Sequence, residues 1–132
     1  MFCVEVSDHI MIAHSLPRPV FGPAQGLHGA TYAVDAAFFA RDLDADGLAV
    51  DIGLALEILR EVLQPLNYQN LDELEAFRGA ITTTEFIAHH LFEAIRAALQ
   101  AGRAGEGGRR IVRLRVRLTE TPNASAAYEA DL

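Results

Sequence analysis

From Val112 to Thr119 the chain alternates without a break, with Val112, Leu114, Val116 and Leu118 apolar against Arg113, Arg115, Arg117 and Thr119. A period of two residues belongs to a strand with one face buried and one face in water, and no helix carries it. The pattern commits the fold to a sheet covered on one side. Glu120 has the parity of the apolar set and is expected to end the buried face. After a Pro122-Asn123 turn, Ala124 to Glu129 reads as a short strand closing a hairpin.

The N-terminal third repeats the same period. Phe2, Val4, Val6, Ile10, Ile12 and His14 share one parity. A second strand candidate, Leu27 to Arg41, puts His28, Ala30, Tyr32, Val34, Ala36 and Phe38 on one face, and a strand of that length is usually bent or bulged. Between them, Pro17, Pro19, Gly22, Pro23 and Gly26 make residues 15–26 a loop. Antiparallel pairing of the two strands brings His14 and His28 side by side on one face. Two adjacent imidazoles are either the start of a metal site or a pair of buried, hydrogen-bonded histidines. A metal needs a third ligand. His9 is the candidate if a bulge before His14 turns it inward; a carboxylate or a residue of a neighbouring subunit competes with it.

The middle of the chain is helical. Asp44-Ala45-Asp46-Gly47 resembles the opening of a calcium loop but lacks the downstream acidic ligands, so it reads as a turn. Asp51 caps a helix with Leu56, Leu59, Val62, Leu63 and Leu66 on one side, ending at Pro65. Residues 67–79 are irregular. Thr82-Thr83-Thr84-Glu85 has capping-box spacing, and Phe86, Ile87, Leu91, Ile95 and Leu99 form the stripe of a second helix that ends near Gly102. His89 and His90 are consecutive there and cannot both face one site. Gly102 to Gly108 reads as a flexible connection. The expected fold is α+β, ββααββ, an antiparallel four-stranded sheet with two helices on one face. The bare face, with Arg113, Arg115, Arg117 and Glu5, is either solvated or the lining of a barrel closed by neighbouring subunits.

Several function classes drop out. A length of 132 residues is one domain, and a net charge of −7 opposes nucleic-acid and anionic-membrane partners. No apolar run is long enough to cross a bilayer, and Glu5 and Asp8 interrupt any N-terminal signal, so a cytoplasmic location is expected. The single cysteine, Cys3, excludes an internal disulfide and a thiolate zinc cluster. It alternates with apolar residues and reads as a small packing residue at an interface. All eleven basic residues are arginine, which removes lysine Schiff-base chemistry.

Six segments, in order and over nearly the whole chain, resemble the 6-pyruvoyltetrahydropterin and 6-carboxytetrahydropterin synthases. Ile12-Ala13-His14-Ser15-Leu16 is similar to the family's first zinc-histidine segment, and His28-Gly29-Ala30-Thr31-Tyr32 to its His-Gly-His-Asn-Tyr. Asp46-Gly47-Leu48-Ala49-Val50-Asp51 resembles the segment before the first helix, and Leu66-Asn67-Tyr68-Gln69-Asn70-Leu71 the family's Leu-Asp-His-Lys-Asn-Leu. Thr83-Thr84-Glu85 and Leu118-Thr119-Glu120-Thr121, with Tyr128 beyond them, resemble the pterin-anchoring segments.

The resemblance implies the tunnelling fold, a homohexamer of two stacked trimers that each close a barrel, and active sites between subunits. It implies zinc held by three histidines, with His14 and His28 in two of those places. It also implies a pterin-like ligand gripped by Glu120 and lined by Thr83, Thr84 and Glu85, and lyase-type chemistry. Three parts of that chemistry are replaced. Ala30 stands for the third zinc histidine, no thiol precedes His28, and Asn67-Tyr68 stands for the Asp-His relay. Moving a proton beside a carbonyl carbon needs a base of suitable pKa, and neither Ala24 nor Gln25 is one. Tyr68 is a candidate proton donor or a pocket wall. Glu120 is a ring-binding carboxylate or half of an ion pair, and Thr83 and Thr84 are pocket residues or a helix cap. The expected function is a zinc-dependent pterin-synthase-like enzyme with altered chemistry, or a non-catalytic pterin- or purine-binding protein on the same fold.

Overall fold

The computed structural model describes residues 1–132. Two thirteen-residue strands, β1 (Phe2–His14) and β2 (His28–Ala40), pair antiparallel along their whole length, from Phe2 opposite Ala40 to His14 opposite His28. β2 also pairs with β4 (Ile111–Thr121), and β4 with β5 (Ala124–Asp131). One expectation is corrected. Gln69–Asn70 forms a short β3 parallel to β1 beside Ile12 and Ala13, so the sheet has five strands in the order β3-β1-β2-β4-β5.

Helices α1 (Ile52–Leu63) and α2 (Thr84–Gln100) pack on one face of the sheet. The Asp51 carboxylate accepts from the Leu54 backbone N–H and caps α1. Val6, Ile10 and Ile12 of β1, Val34, Ala36 and Phe38 of β2, and Leu114, Val116 and Leu118 of β4 meet Leu59, Leu63, Leu91 and Ile95 in one core, as alternation requires. Leu56 departs from expectation: it is exposed, because the buried stripe of α1 runs through Ala55, Ile58, Leu59 and Leu63. β2 gains no extra residue; the irregularity beside its end is a bulge in β4, where Val112 is extra between Arg113, opposite Phe39, and Ile111, opposite Ala40, so that Ile111 and not Val112 joins the core.

The glycine-rich connection is ordered and not a loose linker. It holds a four-residue helix, α3 (Gly105–Gly108), in which a Cβ at Gly108 would lie 2.5 Å from the Ala104 Cβ. Residues 15–26 contain a 3-10 segment (Pro19–Gln25) that kinks at Gly22, with φ +52°. The Asp44 carboxylate accepts from the N–H groups of Asp46 and Leu48, so that acidic stretch is a self-bonded turn. On the uncovered face of the sheet Arg115 meets Glu5 at 2.9 Å and Arg113 meets Asp131 at 2.7 Å. Cys3 is exposed on that face.

Candidate functional site

Direct pairing of β1 with β2 sets His14 against His28, ring centroids 4.6 Å apart and planes at 60°. The Nδ1–H of His28 donates to the Gly26 carbonyl at 2.8 Å, which leaves Nε2 as a free acceptor. His14 is 2% exposed, and its Nδ1 lies 3.1 Å from the hydroxyl of Thr82, itself 3% exposed. Burial, and secondly the neighbouring His28, hold the His14 pKa below the ordinary histidine value, against smaller opposing effects of the Thr82 backbone, Asp72 and Glu120. The Nδ1 of His14 is thus engaged with the Thr82 hydroxyl, and its Nε2 has no partner in the protein. Each ring therefore has Nδ1 engaged and Nε2 unbonded.

These histidines open into a cavity of about 240 Å³ that Tyr32, Thr83, Thr84, Glu85 and Glu120 also line. Thr83, and not Thr82, caps α2, its hydroxyl accepting from the Phe86 N–H at 3.2 Å. That one-residue shift from the capping-box reading leaves Thr82 to bond His14. Burial raises the Tyr32 phenol pKa, opposed by a hydrogen bond from the Thr84 side chain, so the hydroxyl stays protonated.

Glu120 differs from expectation. The β4–β5 register slips between Thr119 and Thr121, and at this bulge Glu120 is exposed at the mouth of the cavity instead of ending a buried face. Neither Glu120 nor Glu85 is in an ion pair, and no arginine lines the cavity. A recess of about 140 Å³ continues from Thr84, Glu85 and Glu120 along Ala124, Ser125 and Ala126 of β5. Behind the histidines, Ser15 donates its N–H and hydroxyl to the Asp72 carboxylate at 3.2 and 2.6 Å, holding the chain where it leaves β1.

Two expected participants lie elsewhere. The β1–β2 register has no bulge, so His9 stays on the opposite face from His14 with its side chain 74% exposed. Tyr68 is 76% exposed and does not line the cavity. Its N–H donates to the Met11 carbonyl at 2.7 Å, the Met11 N–H donates to the Asn67 side chain at 3.0 Å, and its φ of +60° turns the ring off the β1 edge. Asn67 therefore ties a turn to a strand. Ala30 holds the next place beyond His28 on the same strand face, opposite Ile12. No group of three or more His, Cys, Asp and Glu side chains in the chain is placed to hold a metal ion. The chain alone supplies two imidazoles and does not fit a three-histidine zinc centre. Of the other histidines, His90 packs edge-on against Phe77, while His89 is exposed beside Tyr128.

Sequence reasoning missed Thr82 and Tyr32 as site residues. The first was masked by the run of threonines, and the second by its place in an apolar stripe.

The 6-pyruvoyl tetrahydropterin synthase family model matches residues 3–131. The chain is 29% identical over 97 residues to the 6-carboxy-5,6,7,8-tetrahydropterin synthase of Bacillus subtilis, covering 69% of this chain and 63%, less than two thirds, of that protein. The 6-pyruvoyl tetrahydropterin synthase structure from Caenorhabditis elegans superposes with a TM-score of 0.81 at 20% identity, over 98% of this chain and 95% of that one. The Plasmodium falciparum structure gives 0.69 at 17% identity, over 98% and 99%. Those structures speak for the fold. With a family match spanning nearly every residue, this chain belongs to the 6-pyruvoyl tetrahydropterin synthase family.

Proposed function

We propose that this protein binds a pterin-like heterocycle in the cavity between His14, His28 and Glu120, as a pterin-synthase-like protein with altered chemistry. One observation carries the reading. Glu120 and Glu85 face the same cavity as the two histidines with no cation beside either carboxylate. A carboxylate without a cation partner is suited to accept paired N–H donors from an amino-pyrimidine edge. The recess of about 140 Å³ along Ala124, Ser125 and Ala126 extends the cavity beyond Glu120.

The altered chemistry follows from what lines the cavity. Ala24 lies in its wall, no thiol does, and Cys3 is across the sheet. Asn67 is occupied with Met11, and Tyr68 is exposed away from the cavity. Binding without turnover is therefore the favoured form of the function. The open edges of β1 and β5 and the uncovered sheet face support assembly into a barrel, with two stacked trimers as the expected hexamer.

The two free Nε2 atoms favour a second reading, a zinc-dependent lyase-type reaction in which a neighbouring copy completes the ligand set. Calorimetric titration with neopterin, together with mass spectrometry of dihydroneopterin triphosphate incubated with the protein, separates the readings. Micromolar binding without product supports the first. Product that appears only with zinc supports the second, and no binding ends both.

A further inference from the structure

We infer that His14 and His28 act without a resident metal, as a pair of hydrogen-bond acceptors that reads hydroxyl groups on the side chain of the bound heterocycle. The inference rests on the proposed ring site and goes beyond it. In both histidines Nδ1 is already engaged, with Thr82 in one case and the Gly26 carbonyl in the other, so the nitrogens left over are Nε2 lone pairs. The residue that would add a third imidazole to this strand face is Ala30. Two imidazoles alone are a weak zinc site, whereas two unbonded Nε2 atoms side by side can meet two hydroxyls of one ligand.

The carboxylates of the cavity add to this pair, and the hydroxyls of Tyr32 and Thr84 line it as well. Glu85 and Glu120 accept, the Thr83 hydroxyl already accepts from Phe86, and neither arginine nor lysine is present. A site whose only charged side chains are carboxylates favours a ligand rich in O–H and N–H donors and repels phosphate. The ligand class is therefore a flat aminated heterocycle with a polyhydroxylated, unphosphorylated arm. The ring's donors meet the carboxylates and the arm's hydroxyls meet the histidines.

The test compares neopterin with 6-methylpterin, the same ring without hydroxyls, by calorimetry on the full-length protein in excess EDTA. Neopterin is expected to bind about tenfold more tightly. In His28→Ala, a half-buried position whose loss leaves the core intact, the ratio is expected to fall to near one. Added zinc leaves the wild-type ratio unchanged, and stoichiometric zinc uptake appears in Ala30→His but not in wild type. Equal affinity for the two pterins in EDTA, discrimination that appears only with zinc, or stoichiometric zinc in wild type overturns the inference and leaves the ring site standing. Failure of both pterins to bind overturns the ring site and the inference with it.

Discussion

Glu120 owes its availability to a single irregularity, the slip that lifts it out of the β4–β5 ladder toward solvent. A carboxylate that binds ligand and not an arginine can be changed at little structural cost. Glu120→Gln is expected to weaken neopterin binding by about 2 kcal/mol, some thirtyfold, and to move the melting temperature by no more than a degree or two. An unchanged titration with a lowered melting temperature would make it a structural residue. Thr82 is the opposite case, buried and bonded only to His14. Thr82→Val keeps the volume, removes the oxygen, and is expected to destabilise the fold by about 1 kcal/mol in urea. Protons act at this scale too. Burial lowers the pKa of His14 and of His90 below the ordinary 6.5, so the unfolded chain takes up protons first as pH falls. Stability is expected to be full above that value and to decline as pH drops through it toward the lower folded pKa values. Urea titrations at pH 7.5 and 5.5 check this, with a smaller decline in His90→Leu.

At the scale of elements, the chain is held by short backbone devices that leave little room for change. Gly108 packs so close to Ala104 that any side chain collides with it. Gly108→Ala is expected to cost about 1–3 kcal/mol, read as a drop in melting temperature, because the turn from Ala104 to Gly108 must open to admit the new Cβ. The turn at Asn67 and Tyr68 works differently. Tyr68 holds a left-handed conformation that favours glycine, yet its two neighbouring hydrogen bonds to Met11 keep it there. Tyr68→Gly is therefore expected to keep or raise stability by up to about 1 kcal/mol, net of the extra freedom of the unfolded chain. A large loss would mean that the ring packs against a neighbouring copy.

For the molecule as a whole, the distribution of charge and open edges matters most. β1 is partnered by β3 only at Ile12 and Ala13 on its outer side, and β5 has no outer partner. Edges of that length favour continuation of the sheet by other copies, and sedimentation is expected to give a multiple of three chains. A monomer at micromolar concentration would remove the barrel from the account. No helix is long and apolar enough to cross a membrane.

The residues themselves determined the sheet, its faces and the meeting of His14 with His28, because a period of two assigns every side chain of a strand to one side or the other. The same rule placed Arg113, Arg115 and Arg117 on the uncovered face and Leu114, Val116 and Leu118 beneath the helices, but it failed at Val112, where a bulge brought Ile111 into the core in its place. Periodicity carries no information on where a strand slips, which way a turn leaves an edge, or which of three threonines caps a helix. Those were decided in three dimensions, by packing and by the pairing of backbone groups. Glu120 came out to solvent at a bulge, His9 stayed on the far face because none formed, Tyr68 turned away from its own cavity, and Thr82 was freed to hold a histidine.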